Sequence, residues 1–259
     1  MHILIGDIGN TVTKICLVDI KNFSIKKIFY FNSKEIKSQK YLISKLKKIL
    51  KNKSICKTAL FSSVVPNYQL SIKRILNKTY KIKMREIKEK SLKKGVKINI
   101  KNSKQVGSDR IANAVGAFKR YKSDCIILDF GTATTFDVIT KYGVYNGGII
   151  APGVNLSMQS LSNSADQIPF FSIKKQKKVI GKNTIEALRS GFYWGYSGLI
   201  NNIILKIENE TKKKYKIIFT GGYAHLFKTS MIRPFVIDKN ITIDGIIEIY
   251  KNNKSNLIK

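Results

Sequence analysis

Histidine and cysteine are scarce in this 259-residue chain, and acids are outnumbered three to one by bases. The two histidines, His2 and His225, belong to no HExxH pair, and no GxSxG elbow is present. That argues against zinc chemistry and histidine-driven hydrolysis. Cys16, Cys56 and Cys125 are odd in number and form no CxxC pair, so they read as buried thiols rather than a disulfide framework or zinc site. No apolar run reaches the roughly 18 residues that cross a bilayer. The apolar start at residues 3–5 has no basic stretch before it and is interrupted by Asp7 and Asn10, so no signal peptide is expected. The expected setting is the cytoplasm, with no membrane partner. The scarcity of acids, 16 Asp and Glu against 48 Lys and Arg, leaves a net charge of +32. The lysines are dispersed, as in Lys47-Lys48, Lys93-Lys94 and Lys212–Lys214, without interleaved aromatics. They read as a solvated surface with no specific nucleic-acid partner.

With 43% hydrophobic residues there is ample material for a core. Two stretches organise it. Ile126-Ile-Leu-Asp-Phe-Gly-Thr-Ala-Thr-Thr-Phe136 carries Asp129 out of an apolar run into a turn with Gly131, Thr132, Thr134 and Thr135. Ile3-Leu-Ile-Gly-Asp-Ile-Gly-Asn-Thr-Val-Thr13 does the same with Asp7, Gly9 and Thr11. The two acids lie roughly one small domain apart. Glycine lets an anion approach the backbone, and free N–H groups and hydroxyls then hold phosphate oxygens. The chain therefore reads as two related α/β domains, 1–120 and 121–259, each a mixed sheet with covering helices, and a phosphate-binding site in the cleft between them.

Periodicity predicts strands over 2–7, 12–20, 24–31, 58–65 and 82–87 in the first half, with helices over 38–50 and 68–76. Residues 93–105 read as loop, followed by a helix whose start carries Gly107, Ser108, Asp109 and Arg110. In the second half strands are expected over 125–130, 135–140, 144–150 and 216–219. Gly147-Gly148 and Ala151-Pro-Gly153 read as sharp turns, and Thr184 as the cap of a long helix. Residues 224–229 and 244–250 read as closing helices.

Carboxylates set around Gly/Thr turns suit phosphoryl transfer, where positioning and charge neutralisation dominate. Asp7 and Asp129 would hold Mg²⁺ or another cation against a triphosphate. Thr11, Thr132 and Thr134 would donate to phosphate oxygens, and Asp109 would accept a proton from an alcohol. A GxxxxGK[ST] signature is absent, so a P-loop kinase is not expected.

Asp7-Ile-Gly-Asn-Thr11, Gly107-Ser-Asp-Arg110, Asp129-Phe-Gly-Thr-Ala-Thr134, Gly147-Gly-Ile-Ile-Ala-Pro-Gly153 and Gly181-Lys-Asn-Thr184, in this order, resemble type III pantothenate kinase. The resemblance implies the actin-like, sugar-kinase-like ATPase fold of two ribonuclease H-like domains. It implies phosphorylation of pantothenate by ATP on the way to coenzyme A, with a divalent metal such as Mg²⁺, a monovalent cation that is K⁺ or NH₄⁺, and a homodimer. Carried onto this chain, it makes Asp7, Ile8, Gly9, Asn10, Thr11, Val12, Thr13 and Lys14 the first phosphate loop. Thr132 then holds nucleotide phosphate, Asp109 is the general base, and Asp129 is the ligand of the monovalent cation. Gly107, Ser108, Asp109 and Arg110 contact pantothenate, Thr184 reaches it across the dimer interface, and Gly221-Gly222 borders the nucleotide base. Where family members usually carry a tyrosine and a proline ahead of the GxDR glycine, this chain has Ile100 and Ser103, which removes an acceptor contact. The alternatives are a kinase of the same fold for another small acceptor, and a noncatalytic regulator that binds nucleic acid.

Overall fold

The computed structural model describes residues 1–257. It divides into two compact units, one of residues 1–120 with 240–257 and one of residues 121–239.

In the first unit β1 (His2–Ile8), β2 (Val12–Asp19) and β3 (Ile25–Asn32) form an antiparallel meander. Ile3, Leu4 and Ile5 are fully buried, so β1 is covered on both faces and reads as a continuous apolar run. Ser38 caps α1 (Gln39–Leu50) by accepting from the Tyr41 N–H, and Leu42, Leu46 and Ile49 form its buried stripe. β4 (Thr58–Ser63) then lies parallel to β1. Pro66 opens α2 (Pro66–Tyr80) at a position where a missing N–H costs nothing, and β5 (Lys83–Glu86) lies parallel to β4. The strand order is β3-β2-β1-β4-β5. Ile72, Ile75 and Leu76 of α2 join the α1 stripe over Leu4, Ile15 and Phe61. The stretch expected as loop contains a two-residue strand, β6 (Lys97–Ile98), and leads into α3 (Ser108–Tyr121).

The second unit repeats the plan. β7 (Cys125–Phe130), β8 (Ala133–Ile139) and β9 (Val144–Pro152) are antiparallel neighbours. α4 (Val154–Ser164) and α5 (Thr184–Thr211) follow. β10 (Lys216–Gly221) lies parallel to β7, and β11 (Phe235–Ile237) parallel to β10. Among the strands of the second unit itself the order β9-β8-β7-β10-β11 follows that of the first unit. Val154 and Met158 of α4 and Tyr193, Tyr196, Ile200 and Ile204 of α5 cover Ile126, Leu128 and Phe136. Three expectations change here. Gly147 and Gly148 lie inside β9, where Gly147 takes φ 101°, and are not a turn between elements. Residues 224–229 are turns rather than a helix, with i→i+3 bonds such as Leu226 N–H to Tyr223 O at 3.0 Å. The edge strand β11 has no counterpart among the expected elements.

The last helices, α6 (Ile241–Asn252) and α7 (Lys254–Leu257), belong to the first unit. The sequence pattern alone places 121–259 in one domain. Small residues explain the difference: a Cβ on Gly245 would lie 1.8 Å from the Ala112 carbonyl oxygen of α3, and one on Gly116 2.2 Å from the Ile241 carbonyl oxygen. α6 and α3 thus touch backbone to backbone. Thr242 adds a buried hydrogen bond to Asn113 Oδ1 at 2.7 Å, and Asn253 pairs with both backbone groups of Lys93 at 2.8 Å. The three cysteines are free and buried, as expected.

Because the atom opposing a Gly245 side chain is backbone, Gly245→Ala forces the two helices apart. The expected cost is about 1–3 kcal/mol. It is read as a lower urea midpoint at unchanged slope, and an unchanged midpoint would show that the helices separate freely.

Candidate functional site

Asp7 is the penultimate residue of β1, in register with Lys14 of β2 and Ser62 of β4. The turn after it closes on a Gly9 N–H to Val12 O bond of 3.2 Å. A Cβ at Gly9 would lie 2.8 Å from that same oxygen. Asn10, Thr11 and Val12 are exposed, so their side chains are open to a ligand. Ile8 and Thr13 are buried, and the Thr13 hydroxyl is taken by Ser33 Oγ at 2.8 Å. The Ser33 N–H also donates to Thr11 O at 2.9 Å. Within the expected phosphate loop Thr13, tied to Ser33 outside it, braces the turn, and Asn10 and Thr11 stand exposed on it.

Ser108 is buried at the start of α3, and its hydroxyl is fully engaged. It accepts from the Ser63 N–H at 2.8 Å and from Ser62 Oγ at 3.2 Å, and donates to Ser63 O at 2.7 Å. The Ser108 hydroxyl therefore fastens α3 to the end of β4. Asp109 follows in the first turn, half-buried. Its Oδ1 accepts from the Arg110 N–H at 2.8 Å, and a Cβ on Gly107 would lie 2.4 Å from that oxygen. Glycine at 107 is what lets the carboxylate fold back there. Burial raises the Asp109 pKa, opposed by the Arg110 N–H, the Arg110 charge and the Lys88 charge.

Reading the sequence missed three groups beside this turn. Ser63 anchors Ser108. Glu86, at the end of β5, has its Oε1 buried without a hydrogen-bond partner while Oε2 accepts from the Lys88 N–H at 2.7 Å. Lys88 donates its ammonium to Lys104 O at 2.8 Å. Nothing marked Glu86 and Lys88 out in a stretch rich in lysine and glutamate. Ile100 is half-buried and Ser103 exposed on the same approach to Gly107.

In the second unit Asp129 is again penultimate on the central strand, in register with Thr135 of β8 and Thr220 of β10. Glycines from two other segments close on it. Gly221, at φ 85°, would place a Cβ 2.7 Å from Asp129 Oδ1, and Gly153 would place one 2.0 Å from Thr132 O. Thr132 is exposed, whereas the Thr134 hydroxyl is buried without a partner. This glycine-lined strand end, with a carboxylate, nearby carbonyls and an orphan hydroxyl, fits a hard cation and phosphate oxygens. Among the described residues no three His, Cys, Asp or Glu side chains converge, so a cation here would rely on one carboxylate plus other oxygens.

Thr184 is exposed as the first residue of α5. It is not the cap: Asn183 Oδ1 accepts from the Glu186 N–H at 2.9 Å, and Glu186 Oε2 accepts from the Lys182 N–H at 2.8 Å. That exchange leaves the Thr184 side chain outside the capping bonds. No helix among the described residues is long and apolar enough to cross a membrane.

Comparison with known proteins adds a family to this geometry. A model described as type III pantothenate kinase matches residues 3–206. The type III pantothenate kinase of Pelagibacter ubique is 51% identical over 245 residues, 95% of this chain and 97% of that one. Among solved structures, a Campylobacter jejuni protein described as a Baf family transcriptional activator is similar at a TM-score of 0.63 and 21% identity, over 98% of this chain and 100% of that one. The activator of 2-hydroxyisocaproyl-CoA dehydratase from Clostridium difficile, solved with bound ADPNP, has a TM-score of 0.56 at 10% identity, over 99% and 97%. These structural likenesses speak to the fold, that of the actin-like ATPases, which the paired sheets independently display. The chain belongs to the type III pantothenate kinase family.

Proposed function

We propose that this chain transfers the γ-phosphoryl group of ATP to the primary hydroxyl of pantothenate, giving 4′-phosphopantothenate, the first step toward coenzyme A, in the cytoplasm. The observation that carries the reading is Asp109: a half-buried carboxylate with a raised pKa, fastened at a helix start in a chain of this family. Asp109 takes the proton of the acceptor hydroxyl. The oxygen then bonds to the γ-phosphorus as the bond to the β-phosphate oxygen breaks, and ADP leaves. Gly107 and Arg110 flank the acceptor. Asn10, Thr11 and the turn N–H groups after Asp7 hold phosphate, as do Thr132 and Thr134. A divalent cation such as Mg²⁺ would supply neutralisation of charge on the triphosphate, with Asp7 as its carboxylate. Asp129 would hold K⁺ or NH₄⁺.

The dimer belongs to the same reading. Ile150, Phe170, Val179 and Ile180 are 65%, 73%, 66% and 75% exposed, all in the unit that carries Thr184. Exposed apolar groups of this size mark a surface that is covered in solution, and a second copy would bring Thr184 to the acceptor. Light scattering should give twice 29.4 kDa, and a monomer would leave Thr184 without that role.

Coupled ADP release should require both pantothenate and K⁺, and Na⁺ in place of K⁺ should depress it. Activity indifferent to the cation would remove Asp129 from the cation role.

Asp109→Asn should abolish turnover and raise the melting temperature. Burial lifts the folded-state pKa, so the folded chain binds this proton more readily than the unfolded one. Stability linked to it is present at low pH and is lost as pH rises through the raised value. At neutral pH the neutral amide removes that penalty. By the same sign, kcat/KM should fall as pH drops through the raised pKa. A variant that keeps its activity would exclude Asp109 as base.

Ser108→Ala leaves the Ser63 N–H without its acceptor. It should cost about 1–3 kcal/mol of stability. Chemical denaturation measures this, and an unchanged midpoint would mean that the helix start is held elsewhere.

A further inference from the structure

Strand β11 is the outer edge of the second unit's sheet, and the stretch that leads into it is pinned by α5. Asn201 donates to Ser230 O at 2.9 Å and accepts from the Ile232 N–H at 3.1 Å. Arg233 is drawn the same way, its Nη2 donating to the buried Glu208 at 2.9 Å. Phe235 then stacks on the buried ring of Phe219, with 4.5 Å between centroids. With the backbone fixed on both sides, Ile232 is held outward at 79% exposure. Beside it lies an open cavity of about 560 Å³, walled by Met231, Ile232, Pro234, Phe235 and Ile237. Among the described residues the charged groups on its wall are Lys228 and Arg233, both cations.

We propose that this groove binds an amphiphilic carboxylate, an aliphatic acid of medium chain length, whose tail covers the apolar wall and whose head meets Lys228. Size decides against a macromolecule. The volume falls within the roughly 300–1,000 Å³ of small-molecule sites. Seven residues line it, where a stable protein interface uses roughly 20–30 on each side.

Charge decides the head group. Glu208 is shared between Arg233 at 2.9 Å and Lys214 at 3.1 Å, so that cluster keeps a surplus of positive charge. Among the described residues Lys228 has no carboxylate within 4.0 Å. An anion at the mouth of the groove takes up this surplus, and a neutral or cationic head does not. Because the wall is fixed before a ligand arrives, little ordering cost opposes binding. The groove is also a site of its own. Phe235 is in register with Ile217 near the start of β10, whereas Gly221, which closes on Asp129, stands at the end of that strand.

The test titrates the full chain by calorimetry with octanoate, octanol and octylamine, which share one tail and differ in head group. Octanoate should saturate one site per chain, octanol should bind more weakly, and octylamine weakest. Lys228→Gln should weaken octanoate about fivefold and leave octanol unchanged, as expected for one exposed charge pair. Ile232→Ser should weaken octanoate and octanol alike, about tenfold. Both side chains are exposed, so the variants should keep the melting temperature of the unaltered chain. Shifts of the Met231 and Ile232 methyl signals on adding octanoate place the ligand. Uptake that does not saturate, equal affinity for the three head groups, or variants that bind as the unaltered chain does would each overturn the proposal. Binding is the readout, so the result does not depend on the phosphoryl transfer proposed above.

Discussion

A carboxylate at the end of a strand buried on both faces is costly unless polar groups meet it where the strand stops. Both units of this chain meet that constraint in the same way. Ile3, Leu4 and Ile5 lead to Asp7, and Ile126, Ile127 and Leu128 lead to Asp129, all six leading residues fully buried. Each acid stands one residue before its strand ends, and each has a hydroxyl residue in register on the parallel neighbour, Ser62 or Thr220. Two residues past each acid comes a glycine, Gly9 or Gly131, at the head of the turn. The apolar run fixes depth, and the neighbouring strands fix which polar groups surround the acid. The two halves differ in what stands in register on the antiparallel side, Lys14 opposite Asp7 and Thr135 opposite Asp129.

The third carboxylate is handled by a different device. Asp109 sits in a helix start, and a helix start is only as well placed as whatever holds it. Ser108 supplies the hold by pairing with both backbone groups of Ser63, the last residue of β4. The strand that stands beside Asp7 thereby also sets where Asp109 lies. Burial and the adjacent positive charges push the Asp109 pKa in opposite directions, and burial prevails. A general base benefits from that balance, since a carboxylate nearer neutral pKa accepts a proton with less driving force lost.

Much of this was legible in the sequence. One acid-glycine-threonine turn is ordinary turn chemistry, but two of them, each between apolar runs and a small domain apart, stood out together and carried the reading of a repeated sheet. What the sequence could not show were relations made by tertiary contact. Residues 240–257 join the first unit because Gly245 and Gly116 let helices touch, and no local pattern encodes which helix a glycine will meet. Residues 224–229 have helical spacing, yet Ala224 and Phe227 are buried three residues apart through successive i→i+3 turns, and Asn201 of α5 binds Ser230 O at 2.9 Å. Thr184 and Asn183 are both N-cap residue types, and the bond from the Glu186 N–H to Asn183 Oδ1 decides between them. The partner of the Ser108 hydroxyl, Ser63, lies 45 residues away.

In a chain with 48 basic residues, charge alone distinguishes no lysine, and an exposed one contributes little to any single interaction. The 16 acids carry more information, because each is a place where the fold holds a cation or tolerates an anion. Glu208, buried, holds both Lys214 and Arg233 and closes the end of α5. Glu86 and Glu89 are instead concentrated on one short turn, and burial raises the Glu86 pKa. A desolvated carboxylate beside a second acid costs stability in an ordinary surface turn, where a threonine or asparagine would serve as well. Here the two acids hold the shape of the turn: Glu86 Oε2 accepts from the Lys88 N–H, Glu89 Oε1 accepts from the Glu86 N–H, and Glu89 Oε2 pairs with Arg85. The Lys88 ammonium then reaches Lys104 O, so two of the scarce acids shape the segment that meets the approach to Gly107.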